Sequence, residues 1–329
     1  MPMQAAGDAG LPAELDDIDR GLINALLEDG RMTFRSMGAR VGLAGDAVRE
    51  RYNRLVEAGI VRVVGVPDPR VLGYHAAAAI GVSVSGQVRA AAQELAKIPE
   101  VSLVASTMGT FDVIFEILAR DEQHLADLLD EHVRTLEAVH AGLTTMLYLD
   151  VLKWSFAHSP QATLSLATTP SPTVDEVDRR LMTALQTDGR LPYTDLADQL
   201  GMSYANARRR TMHLISSGAV KITTSVNRLS MGVATMAAVC IRVEGRKCVD
   251  VAEDIAALPE VEVIIQTLGR FDLLVEIACR DRSHLRGVIS DGIRGIDGVT
   301  STETFVYTSL QRLPVQWGVD TLSQVLRPA

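Results

Sequence analysis

Cysteine is scarce in this chain, and its placement excludes more than its number does. Cys240, Cys248 and Cys279 are the only three, and all fall in the second half, so neither a disulfide framework nor a shared metal site is supported. No apolar run is long enough to cross a bilayer, and residues 1–14 hold no Lys or Arg ahead of an apolar stretch. No secretory signal is therefore expected, and a cytoplasmic protein away from membranes fits best. Phosphate-loop, dinucleotide and Ser–His–Asp nucleophile motifs are missing as well. No cofactor, metal or catalytic residue is expected. Cations are also in deficit: 32 Lys and Arg face 41 Asp and Glu, a net charge of −9. That balance argues against a nucleic-acid partner only if the positive charge is evenly spread.

What is present is present twice. Residues 174–222 repeat residues 15–63 without a gap at an offset of 159, and PEVSLVASTMGTFDVIFEILARDEQHL is matched by PEVEVIIQTLGRFDLLVEIACRDRSHL at an offset of 160. A repeat of this length governs the reading of every local motif. The 329 residues exceed one usual hydrophobic core, so we read two copies of a two-module unit.

The first module is helical. Ile18, Leu22, Ile23, Leu26 and Leu27 fall at helical spacing over 16–28, matched by Val177, Leu181, Met182, Leu185 and Gln186. Thr173 and Glu176 have capping-box spacing. Gly30 and Gly189 follow these helices, where a left-handed or flexible turn suits glycine. Short second helices are expected over 33–40 and 193–200, and third helices over 45–58 and 204–217. Each third helix is followed by a β-branched run. Three helices and a small strand make a winged helix-turn-helix pattern. Val48, Tyr52, Leu55 and Val56 form the inner stripe of one third helix, and Ala207, Thr211, Leu214 and Ile215 that of the other.

That phasing turns Tyr204, Arg208, Arg209 and Met212 outward in the second repeat, with Ser203 as a natural N-cap. Arginine at such a helix end reaches guanine edges or phosphates. The stretch 203–221 holds Arg208, Arg209, Arg210 and Lys221 and no acid. Its counterpart, 44–62, sets four arginines against Asp46, Glu50 and Glu57. Arg49 and Asn53 are its candidate DNA contacts, with Ala44 at the cap position. The two repeats are alike in expected fold and unlike in charge.

The second module reads strand (74–84), helix (87–97), strand (101–107), strand (111–119), helix (122–136) and strand (139–151). The second repeat follows over 234–243, 249–258, 261–267, 271–278, 284–293 and 299–310. This is the ferredoxin-like βαββαβ order. The fold class is therefore α+β: two winged helix-turn-helix domains (15–65 and 173–225) and two ferredoxin-like domains (66–154 and 226–314). A disordered N-terminus (1–14), a linker (155–172) and a C-terminal tail (315–329) complete the chain. A sheet with helices on one face needs cover on the other, so sheet packing between the repeats and an intrachain pseudo-dimer are expected. The turns at Gly109, Thr110 and Asp112 and at Gly269, Arg270 and Asp272 are effector-site candidates. Glycine admits close approach, and aspartate binds N–H groups or an ammonium. The alternative is a turn stabilised by its own aspartate. Arg270 either engages a carboxylate or faces solvent. His124 and His284 recur without ligand neighbours, so surface or interface histidines fit them better than a metal site.

At these residues the chain resembles the leucine-responsive/asparagine-synthase-regulator (Lrp/AsnC) family of transcription factors. The resemblance rests on Leu15-Asp16-Asp17-Ile18-Asp19, Asn24-Ala25-Leu26, Asp29-Gly30-Arg31, Val48, Arg51, Leu55, Gly59, Ile60 and the Gly-x-x-Asp turns at 109–112 and 269–272. It implies a regulator that binds double-stranded DNA and forms a homo-oligomer through its α/β domains. It also implies a small-molecule effector, an amino acid or related metabolite, near those turns. A chain holding two units departs from the usual single one, and its unlike reading helices imply an asymmetric operator. A related enzyme group, similar to siroheme decarboxylase, uses the same modules and implies His- and Tyr-rich sequence near 101–115. Neither VSLVASTMGTFDVIF nor VEVIIQTLGRFDLLV contains either residue. A ligand-sensing scaffold without DNA binding is the third reading.

Overall fold

The computed structural model describes residues 15–154, 173–227 and 232–312. The expected N-terminal segment (1–14), linker (155–172) and tail (315–329) lie outside the described residues. Each repeat begins with three helices: α1 (Asp17–Glu28), α2 (Phe34–Val41) and α3 (Gly45–Glu57), then α6 (Glu176–Thr187), α7 (Tyr193–Leu200) and α8 (Tyr204–Ser216). Their apolar faces bury Leu22, Ile23, Leu26, Val48 and Leu55 in one head and Leu181, Leu185, Leu196, Ala207 and Leu214 in the other. Val56, expected in the inner stripe, is 38% exposed; α3 turns it away once Leu55 has taken the core position. The capping box of α6 also sits two residues later than Thr173 implied. Asp175 accepts from Asp178 N at 2.8 Å, and the Asp178 carboxylate accepts from Asp175 N. The short carboxylate at 175 reaches the first unpaired N–H groups of the helix that starts at 176.

Strands β1 (Val61–Pro67) and β6 (Val220–Val226) follow the two heads and pair antiparallel with each other, from Val61 opposite Val226 to Pro67 opposite Val220. The small strand of each head thus finds its partner in the other repeat. Gly30 and Gly189 serve this junction. Neither has positive φ. A Cβ on Gly189 would lie 2.9 Å from the Val64 backbone, and one on Gly30 would lie 3.0 Å from the Ile222 side chain. Glycine is needed for close approach of the other repeat's strand, not for a left-handed turn.

The ferredoxin-like units contain β2 (Ala76–Val84), α4 (Val88–Leu95), β3 (Val101–Met108), β4 (Val113–Ala119), α5 (Glu122–Leu128) and β5 (Val139–Trp154). The second unit contains β7 (Thr235–Val243), α9 (Cys248–Ala256), β8 (Val261–Gly269), β9 (Leu273–Cys279), α10 (Arg282–Gly287) and β10 (Val299–Arg312). A 3-10 turn, Pro69–Leu72, joins β1 to β2. The two four-stranded sheets close into one barrel, in the order β10-β3-β4-β2-β5-β8-β9-β7. The expected intrachain pairing is present, and it includes hydrogen-bonded edges as well as facing sheets. Strand β5 pairs with β2 up to Leu147 and with β8 from Met146 onward. Strand β10 does the same between β7 and β3. Register shifts at Tyr148/Asp150 and Tyr307/Ser309 lie on these crossing strands, where bulges add bend and twist.

Alternation along the strands divides the cores. Ala76, Ala78, Ile80 and Val82 face the helices of the first unit, while Ala79 joins Phe111, Met146, Ala238, Cys240 and Phe305 inside the barrel. The alanine-rich character of β2 leaves room for aromatic rings: a Cβ on Gly81 would lie within 2.3 Å of the Phe111 ring, which stacks on Phe305 at 5.1 Å.

Candidate nucleic-acid interface and ligand sites

Helix α8 begins at Ser203, whose hydroxyl accepts from Asn206 N at 3.3 Å. Tyr204 (52%), Met212 (48%), Arg208 and Arg209 are exposed, so all five expected contact residues lie at or near the surface of one helix. Tyr204 stands edge-on to Tyr193 at 6.2 Å. Arg209 Nη2 donates to Asn206 Oδ1 at 2.9 Å, which holds the guanidinium along the helix. Arg210 departs from its neighbours. Its Nη1 donates to Asp175 and Asp178, each at 2.8 Å, tying α8 to the start of α6. The positive triplet of the sequence therefore contributes two outward guanidinium groups, and the third is a strut.

The first head repeats the strut and weakens the face. Arg51 donates to Asp16 at 2.7 Å and Asp19 at 2.9 Å, and Arg54 also engages Asp19. Ala44 makes no side-chain cap bond. Arg49 and Asn53 are exposed as expected, but Arg49 lies over the Phe34 ring at 5.5 Å. Arg49 shares this face with Asp46 and Glu50.

The two heads are clasped reciprocally. Arg31 donates to Gly189 O at 2.6 Å and Leu191 O at 3.0 Å, and its guanidinium lies 4.9 Å from the Tyr193 ring centre. Arg190 donates to Gly30 O at 2.6 Å and Met32 O at 2.8 Å, over Phe34 at 4.7 Å. Thr224 adds a bond to Leu26 O at 2.6 Å. Sequence reading used Arg31 only as a mark of resemblance; the repeated Asp-Gly-Arg at 29–31 and 188–190 was the available signal.

The two Gly-x-x-Asp turns, candidates for the effector site, lie at the joints of the barrel. Gly109 and Thr110, and Gly269 and Arg270, are exposed at the surface. The aspartates are engaged internally: Asp112 accepts from Val84 N at 2.8 Å and Asp272 from Val243 N at 2.9 Å. Each carboxylate thus ties its turn to the end of the first strand of its own ferredoxin-like unit. A Cβ on Gly109 would lie 2.7 Å from the Phe305 ring, and one on Gly269 would lie 2.6 Å from Thr145 O. Each turn abuts the crossing strand of the other repeat. Arg270 Nη2 lies 3.0 Å from Glu303, so the guanidinium has found a carboxylate. The first repeat has Thr110 and Thr144 at those positions. Met108 and Leu268, exposed 62% and 60%, extend the two turns with apolar surface.

Sequence reading missed a third feature. Glu116 and Glu276 are the single charged residues of β4 and β9. Both line a cavity of about 100 Å³ inside the barrel, with Ser102, Tyr148 and Tyr307. Burial pushes the Glu116 carboxyl above the usual carboxylate range, against the opposing pull of its bonds from Ser102 and Tyr148. Burial, with the neighbouring carboxylate, pushes both phenols well above theirs. A lone acid repeated in otherwise apolar strands was the signal. Among the described residues no His/Cys/Asp/Glu group could hold a metal ion, and no helix is long and apolar enough to cross a membrane.

Paired helix-turn-helix heads on a shared ferredoxin-like barrel place the chain among tandem helix-turn-helix proteins built on ferredoxin-like sheets. Residues 15–56 and 174–215 match the AsnC-type helix-turn-helix domain, and residues 77–155 and 236–310 match the Lrp/AsnC ligand binding domain. The chain belongs to the Lrp/AsnC family and is a DNA-binding transcriptional regulator with both domains duplicated. It is similar to the HTH-type transcriptional regulator FL11 of Pyrococcus furiosus, with 36% identity over 141 residues, 42% of this chain and 92% of that protein. It is also similar to AldR of Mycobacterium tuberculosis, with 31% identity over 147 residues, 43% of this chain and 82% of that protein. The tandem fold is shared with the siroheme decarboxylase NirDL at a TM-score of 0.65 and 17% identity, over 95% of this chain and 100% of that one.

Proposed function

We propose that α8 is the principal reading helix of an asymmetric operator and that the outer turns sense a small effector, an amino acid or related metabolite. The observation that supports the first half most directly is the exposed pair Arg208 and Arg209 on a capped helix without acids. Cations placed so neutralise phosphate and reach base edges. Helix α3, with Asp46 and Glu50 on its outer face, serves as the weaker partner over backbone or a different half-site. The turns offer unlike chemistry. Arg270 beside Glu303 presents both signs and suits a zwitterion, whereas Thr110 presents a neutral hydroxyl. Met108 and Leu268 give these surfaces an apolar rim on which further chains assemble into a homo-oligomer. Because the Arg31/Arg190 clasp joins the heads, the effector acts on the head pair as a unit. It does so by binding one assembly state more tightly than another.

Selection of duplexes from genomic DNA at fixed salt tests the reading. Wild type should enrich a defined, non-palindromic site, and Arg208→Ala/Arg209→Ala should lose it. Equal enrichment by both would sink the assignment of α8. A melting screen against amino acids, repeated on Arg270→Ala, tests the turns: no stabilisation by any of them removes the sensor reading.

A further inference from the structure

The two Gly-x-x-Asp turns share one frame and differ in what stands on it. Each aspartate binds the N–H at the end of the first strand, Asp112 at Val84 and Asp272 at Val243. Strand pairing sets the other correspondences. Val82 faces Val113 as Ile241 faces Leu273, so Ser83 and Arg242 hold the same place. Gly81 faces Thr144 as Cys240 faces Glu303, so Thr144 and Glu303 do too. The contacts agree: Ser83 Oγ donates to Thr110 O at 3.4 Å, and Arg242 Nη1 donates to Arg270 O at 2.6 Å. The first repeat thus carries three hydroxyls where the second carries two guanidinium groups and a carboxylate. Both guanidinium groups are close to half exposed, and Arg270 Nη2 lies 3.0 Å from Glu303. Asp272 lies 4.0 Å from Arg242 Nε, too far for a hydrogen bond, and its carboxylate is already held by Val243 N.

We propose that the second turn selects an acidic amino acid, bound once per chain, and that the first turn takes none. This deepens, and rests on, the reading of the outer turns as effector sensors. Two cations and one anion are the complement of two carboxylates and one ammonium. Arg270 engages the α-carboxylate through its planar fork, Glu303 beside it accepts from the ammonium, and Arg242 takes the side-chain carboxylate. Because Arg242 rests on the Arg270 carbonyl, both guanidinium groups serve one ligand. A neutral amino acid would engage Arg270 and Glu303 and gain nothing from the charge of Arg242. A diacid without an amino group would engage the arginines and set its own charge against Glu303, so the carboxylate selects by repulsion as well as by attraction. The three hydroxyls of the first repeat offer neither charge. The two turns of one chain are therefore not equivalent sensors.

Calorimetric titration of the full chain tests this. L-glutamate is compared with L-glutamine and glutarate, and L-aspartate with L-asparagine and succinate. At least one acidic amino acid should bind saturably at one per chain, about tenfold tighter than its amide, the effect of one charge-assisted bond. It should also bind more tightly than its diacid, which lacks the ammonium. Arg242→Ser installs the residue of the first repeat and should erase the preference for acid over amide, with thermal melts confirming that the variant is folded. The ligand comparisons are made on wild type and decide the matter without any variant. Equal affinity for acid and amide overturns the proposal, as does a diacid bound as tightly as the amino acid. Two acids bound per chain, or an acid preference that survives in folded Arg242→Ser, overturns it equally. Neutral amino acids binding with no acidic one would leave the sensor reading standing and this inference defeated, whereas no binding by any amino acid defeats both.

Discussion

Three adjacent arginines, Arg208, Arg209 and Arg210, look equivalent in sequence and divide by helical phase into two outward groups and one strut. Removing the outward pair should cost about 1–3 kcal/mol per base-contacting arginine on a selected duplex, read by anisotropy across a salt series. Arg210→Ala should leave sequence preference intact and lower the melting temperature, because it releases Asp178, which is mostly buried. A preserved melting point with lost selectivity would reverse these roles. Acidity follows from the same contacts. The bond from Asp178 N holds the Asp175 carboxyl below its usual range, and Arg210 adds to the effect. A depressed folded value contributes stability above the ordinary aspartate value of about 3.9 and loses it as pH falls through the folded value. Acid titration of unfolding should therefore show a smaller loss in Asp175→Asn than in wild type. The outward phase of Arg208, Arg209 and Tyr204 was legible in sequence because Ala207, Thr211 and Leu214 set the inner stripe. The inward turn of Arg210 was not, since its partners lie 35 and 32 residues away at the start of another helix.

Gly189 shows how much of an element's design depends on a partner. Its place after α6 suggested a turn, yet the restriction comes from β1 of the other repeat, 2.9 Å from where a Cβ would sit. Gly189→Ala should destabilise the head pair by about 1–3 kcal/mol through overpacking, measured as a lowered urea midpoint. An unchanged midpoint would mean that β1 and β6 separate at no cost. The helices and most strands could be read from periodicity, since each buries one regular face. The pairing of β1 with β6 could not, because a lone strand of Val, Ile and Thr does not state which edge it meets.

At the scale of the whole molecule, the repeat offsets made two like units legible, and the order βαββαβ made their sheets legible. Closure into one barrel needed strands longer than the apolar pattern marks. Strand β5 runs on to Trp154 and β10 to Arg312, crossing corners at bulges that have no clear sequence mark. It follows that residues 1–172 alone would leave β3 and the far half of β5 without edge partners. That fragment should elute as a dimer of itself or aggregate, and a stable monomer by light scattering would contradict the barrel's role. The clasp and the closed barrel also change how the regulator responds to dilution. Where each subunit carries a single head, two subunits must meet before a pair of heads exists, and pairing falls off as copies become few. Here both heads are synthesised together and joined within one chain, so forming the head pair is independent of how many copies are present.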